Sequence, residues 1–167
     1  MISRANGDLE TARRARDEIL HLTTKIGIYH ETTREAAAEA IEISIARGEL
    51  DVAQQLLDRF QAVVTPHHYL APHLARLAPK IAAARGDHDG IEEGFKHAVG
   101  MLRETESRFN LAVALVEYAE WLAGRDRAGE AEPLRTEARE VFERLGAKPW
   151  LERIDAPRSP VGFPGPS

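Results

Sequence analysis

The sequence predicts an all-α protein, an α-solenoid of about seven helices arranged as antiparallel hairpins, and three observations carry that prediction. Alanine, glutamate, arginine and leucine dominate a chain of 167 residues that is 29% charged and only 6% aromatic, with short β-branched runs. Side chains of this kind lose little freedom in a helix, so local propensity favours helix throughout. A phrase also recurs: "NGDLETA" from Asn6, "RGELDVA" from Arg47, "RGDHDGI" from Arg85 and, more loosely, "GRDRAGEA" from Gly124. Five places beyond each turn residue stands a small or apolar one, Ala12, Ala53, Ile91 and Ala131, at separations of 41, 38 and 40 residues. Recurrence on that scale is the signature of a two-helix unit.

The elements follow in order. "NGDLETA" opens at a turn and leads into a helix through about Leu22, which has the character of a second helix, so the chain is expected to start in mid-repeat. Leu9, Ile19 and Leu20 would then be only partly sheltered, and self-association through this first helix is possible. Its Arg13 and Arg14 fall four places from Asp17, Glu10 and Glu18, the spacing of ordinary surface pairs, and Arg16 lies beside them. Thr32 with Glu35 three places on makes a capping box for a helix to about Arg47, which Gly48 ends in a left-handed turn. Its partner spans roughly Leu50 to Val64. Thr65 and Pro66 read as an N-cap and first-turn proline for a helix that Gly86 ends. Pro72 and Pro79 inside it predict a kink, or a start only after Pro72. Asp87 would cap the next helix. After "RETESRF" another runs to about Ala123, Asp126 takes the left-handed turn that glycine fills elsewhere, and the last helix, with Pro133 early in it, reaches Leu145. The helical domain is thus 1–155. "APRSPVGFPGPS", 156–167, is rich in proline and glycine and is expected to be a flexible tail.

Small residues where two helices cross closely sharpen the pattern to a tetratricopeptide-like one. In the last hairpin they are Ala119, Ala131 and Ala138, with Leu115, Tyr118 and Leu122 as larger packing residues. The matching places carry Pro79, Ile91 and Ala98 in the middle unit and Ile41, Ala53 and Phe60 in the earlier one. The run from Arg108 to Ala156, through "EYAEWL", "EAEPL", "EAREVFERLGA" and "PWLER", together with "AAARGDHDGIEEGFKHA" before it, resembles the carboxyl end of large bacterial, especially actinobacterial, signalling proteins. In those proteins an adenylate/guanylate cyclase domain and an AAA-type ATPase domain precede a tetratricopeptide-like region. Related regions end the large ATP-binding helix-turn-helix transcriptional activators. The resemblance covers roughly residues 35 to 156 and rests on packing motifs, which specify architecture rather than activity. It implies that any catalysis belongs to other domains.

The residues themselves offer little chemistry. With 22 basic and 27 acidic residues the net charge is −5, and no broad positive field is present to attract nucleic acid. There is no cysteine, hence no disulfide framework or thiolate nucleophile, which suits the cytoplasm. No apolar run approaches the roughly 18 residues of a membrane span, and the start has no apolar signal-peptide core. His67, His68 and His73 miss the i,i+4 spacing of a helical zinc pair, so no metal site is expected. The sequence lacks phosphate-loop, dinucleotide and nucleophile-elbow motifs, so neither a cofactor nor an enzyme is expected. Glu92 and Glu93, adjacent in a helix, read as solvated surface, while Tyr118, Trp121 and Trp150 read as an aromatic core.

In a hairpin repeat the first helix of each unit lines the concave side, and the residue after the small crossing position faces the groove. Those residues are Glu42, Lys80 and Glu120, with His73 and Arg76 beside the middle one and Glu35 beside the first. The expected groove is acidic, basic, then acidic. Its charges either pair between adjacent helices or present a basic centre to an acidic segment of a protein or peptide, or of upstream domains of the same polypeptide. The expected function is a non-catalytic interaction or intramolecular regulatory module of a larger signalling protein. The alternative is a free-standing regulator that binds a small ligand or peptide in the groove.

Overall fold

A computed structural model describes residues 31–65, 68–87 and 89–155, with side chains from Ala36 onwards. The expected first half-repeat and the tail 156–167 lie outside the described residues. Seven α-helices and no strands make up the described residues, so the chain is all-α: α1 Glu31–Ala46, α2 Leu50–Gln61, α3 Ala71–Arg85, α4 Ile91–Arg103, α5 Arg108–Ala123, α6 Ala128–Leu145 and α7 Lys148–Asp155. Two compact units divide them, Met1–Ile81 and Ala82–Ser167, with α3 passing from one into the other. No helix among the described residues is long and apolar enough to cross a membrane.

The three copies of the recurring phrase that lie among the described residues share one backbone motif, which returns at Gly146. Gly48, Gly86, Asp126 and Gly146 each take a left-handed conformation, with φ of 72°, 84°, 60° and 63°. In each case the next residue's N–H reaches back to a carbonyl of the helix just ended: Glu49 to Ser44, Asp87 to Ala82, Arg127 to Leu122, Ala147 to Phe142. This satisfies a carbonyl that the helix end would otherwise leave open, and the sharp reversal needs a residue that tolerates positive φ. Asp126 tolerates it least, being the one non-glycine residue with positive φ among those described. Asp126→Gly is therefore expected to stabilise the second unit by about 0.5–1 kcal/mol, read from its urea midpoint.

Helix starts are less well read than helix ends. α1 is already under way at Glu31, so Thr32 lies inside it rather than at its cap. α2 stops at Gln61, short of Val64. Thr65 does not open α3, and Pro66 lies outside the described residues. The His68 N–H bonds the Thr65 carbonyl at 3.0 Å, the Ala71 N–H bonds the His68 carbonyl at 2.9 Å, the His68 ring accepts the Leu70 N–H at 3.2 Å, and the helix begins at Ala71. Pro72 then falls in the first turn, where a missing N–H costs nothing, which is the late start the prolines allowed. Pro79 does lie inside α3, and Pro133 inside α6 near its solvent-exposed start. Asp87 is not the cap of α4. That place is held by Gly90, left-handed at φ 72°, with no side-chain bond.

Packing in each unit follows the small-residue pattern. All nine crossing positions named from the sequence are buried, from Ile41, Ala53 and Phe60 to Ala119, Ala131 and Ala138. In the first unit Ile41 of α1, Leu57 and Phe60 of α2, and Leu74, Leu77 and Ile81 of α3 form one core. In the second, α5 packs against both α4 and α6 and is buried almost all round from Leu111 to Leu122. That is why its apolar residues show no single stripe. Phe95, Tyr118 and Trp121 close one end of this core, and α7, unforeseen in the sequence, packs on α6 at the other.

Candidate functional site

In the first unit four of the expected groove residues come together. α3 carries His73, Arg76 and Lys80 at three- and four-residue steps, hence on one helical face, and α1 presents Glu42, the neighbour of the core residue Ile41. Arg76 is only 3% exposed and Glu42 8%. The Arg76 Nη2 donates to Glu42 Oε1, and the Lys80 ammonium lies 3.6 Å from Oε2 of the same carboxylate. Burial pushes the His73 imidazole below its ordinary value, the nearby Arg76 charge pushes the same way, and Glu42 opposes them. Burial and Arg76 thus both favour the neutral imidazole over the imidazolium.

A buried carboxylate clasped by a guanidinium and an ammonium is a strut rather than a base: its lone pairs are directed at fixed cations. Arg76 belongs to the interior, so reversing its charge is a core substitution. Glu120 belongs to the second unit, on α5, where Arg153 of α7 donates to it through Nε at 2.9 Å and Nη2 at 2.6 Å. The side chain of Glu35 lies outside the described residues.

A second polar cluster escaped the sequence reading. Glu92, read there as solvated surface with Glu93, sits at the start of α4 and accepts hydrogen bonds from Arg127 at 2.6 and 3.2 Å and from the Tyr118 hydroxyl at 3.2 Å. Lys96, one turn on, lies 2.7 Å away. Arg127 also bonds Glu130 at 2.7 and 2.6 Å, so the approach to α6 is tied to α4 and α5 together. Glu93 is exposed, as expected. The pairs Glu92 with Lys96 and Arg127 with Glu130 have helical spacing and could have been found; the link across 35 residues had no local signal.

Bonding by Arg127, then by Lys96, pushes the Glu92 carboxyl from 4.5 down to about 2, against the cost of burial. Burial, with the Glu92 charge next, pushes Tyr118 up to about 12. A carboxyl depressed in the folded state stabilises above its unfolded value and loses that contribution as pH falls through the folded one. Acid titration monitored by tryptophan fluorescence should show wild-type stability falling between pH 4.5 and about 2, and Glu92→Gln should be flatter across that window. An identical slope would show that Glu92 is not held by these cations.

The aromatic residues are packing groups, as read. Phe95 stacks on Tyr118 at 5.6 Å and tilts against Trp121 at 6.0 Å, and the Arg125 guanidinium lies 4.2 Å over the Trp121 ring. Trp150 stacks on Phe142 at 5.3 Å. Of the clustered histidines, His68 stacks on Tyr69 at 4.5 Å, while His67 lies outside the described residues. Among the described residues no three histidine or carboxylate side chains converge as a metal site would require. The polar groups thus join helices to one another: α1 to α3 through Glu42, α4 to the α5–α6 hairpin through Glu92, α5 to α7 through Glu120. No family model, no curated protein and no solved structure matches this chain.

Proposed function

We propose that the chain is a non-catalytic helical-repeat module that works by protein contact, in the cytoplasm, alongside cyclase and ATP-binding domains like those of the bacterial signalling proteins its sequence resembles. The observation that supports this reading best is the use to which its polar side chains are put. Glu42, Glu92 and Glu120 are each engaged by cations from another helix or turn, which fixes each hairpin against the helix beside it. A catalytic acid or base needs a reacting proton within reach, whereas these carboxylates face fixed donors. Stiff hairpins of this kind present extended surfaces whose exposed residues choose a partner. In this reading the hairpins of both units stack as a solenoid, and an acidic segment of a partner, or of upstream domains, is oriented by charge and held by packing.

The test is calorimetric titration of the chain with a purified cyclase–ATPase region of that class. Binding at about 1–100 µM, weakening as salt is raised, is the expected result. No heat at about 0.5 mM would overturn the reading. A melting shift of several degrees with a nucleotide or short peptide, in the absence of domain binding, would instead favour a free-standing ligand-binding regulator.

A further inference from the structure

We propose that α7 is a latch: a helix bound in cis to the α5–α6 hairpin that opens separately from it, uncovering a face for another helix with an aromatic residue followed three places on by an arginine. α7 has eight residues and buries none of them completely. Trp150, Leu151 and Ile154 turn one face to the core of the second unit, where Trp150 lies 5.3 Å from Phe142, nearly parallel, and 6.0 Å from Phe109, edge-on. Arg153 places its guanidinium 5.0 Å over the Trp150 ring and reaches Glu120 of α5 with two donors. At its end Asp155 receives two donors from Arg139 of α6. One aromatic anchor and two charge clamps therefore hold the helix.

Both clamps stand at the rim, each of their four side chains about a third exposed or more. Ion pairs so placed are weakened by salt, whereas the apolar contacts of α5 are not. An eight-residue helix has no stability of its own, so α7 unwinds when it lets go. The chain between it and α6 is only Gly146 and Ala147, and once the contacts are released the left-handed turn at Gly146 can swing it away without disturbing α6. The face left behind holds the rings of Phe109 and Phe142, with Glu120 at its edge. That is the complement of an aromatic residue and an arginine on one helical turn. The opening of the latch stands on these contacts alone; the use of the uncovered face by a partner rests on the interaction-module reading.

Hydrogen exchange of the full chain tests the latch. Amides of 150–155 are expected to exchange at least about tenfold faster than those of 111–122. Raising sodium chloride from about 0.05 to about 1 M should speed the α7 amides about 3- to 10-fold and leave α5 unchanged. Exchange of α7 and α5 in one step, or no response to salt, would overturn the proposal. Glu120→Gln should speed α7 exchange alone, and an unchanged rate would remove that clamp. For the face, a labelled peptide of residues 147–155 should bind the full-length Trp150→Ala variant more tightly than wild type; equal binding would refute it. If the latch opens but cyclase–ATPase domains still do not bind, the module reading fails and the latch stands.

Discussion

Replacing Ala131 with glutamate is expected to destabilise the second unit by about 4 kcal/mol or more, among the largest effects a single substitution here can have. Ala131 is 1% exposed and lies in the cluster with Ile91, Phe95, Tyr118, Ala119 and Leu122. A longer side chain there separates packed helices, and its carboxylate is taken from water into an apolar site. Both tryptophans, Trp121 and Trp150, belong to the second unit, so a urea titration followed by fluorescence reports on it directly. Ala131→Leu separates the volume effect from the charge, and Glu132→Ala, at an exposed neighbour, should shift stability by less than about 0.5 kcal/mol. A cost that small for Ala131→Glu itself would mean that Ala131 is not at a close crossing.

Arg76→Leu is the second large effect, expected at about 3–5 kcal/mol in the first unit, because it takes the guanidinium from a carboxylate, Glu42, that stays buried. What is lost is chiefly the compensation of a desolvated carboxylate rather than the worth of the pair. The double variant Glu42→Leu/Arg76→Leu should accordingly recover more than half of the loss, since two apolar side chains need no mutual compensation. Neither tryptophan lies in this unit, so protection of the α1 and α2 amides is the suitable measure. A double variant as unstable as the single one would show that Arg76 contributes through contacts other than Glu42.

The sequence was most legible where the determining chemistry is local. Gly48, Gly86 and Asp126 announce their turns because a left-handed residue is rare and its alternatives are few. Ala119, Ala131 and Ala138 announce the crossing because only small residues let two backbones approach. The caps expected at Thr32, Thr65 and Asp87 did not open their helices, since side-chain caps compete with backbone turns and with tertiary packing for the same amides. α7 was not foreseen because a short segment beginning Lys148-Pro149 is helical only through the surface it lies on. Of the residues expected in the groove, the sequence showed the charges of Glu42 and Arg76 but not their burial, because a charged side chain shows its sign in the sequence and not its partner. Glu92 was misjudged for the same reason: Tyr118 and Arg127 lie 26 and 35 residues away.

The four left-handed turns also bear on how the chain reaches this structure. Each one joins a helix to the next through contacts only a few residues apart, and α1–α2 and α5–α6 are hairpins of helices adjacent in the chain. Contacts so close in sequence need little loop entropy to form, which is the condition for folding on the microsecond-to-millisecond scale. A hairpin of this kind is complete once its own two helices have left the ribosome, so α1 and α2 can associate while α5 and α6 are still being made. The glycine or aspartate that stops one helix thereby also sets the moment at which the next can dock.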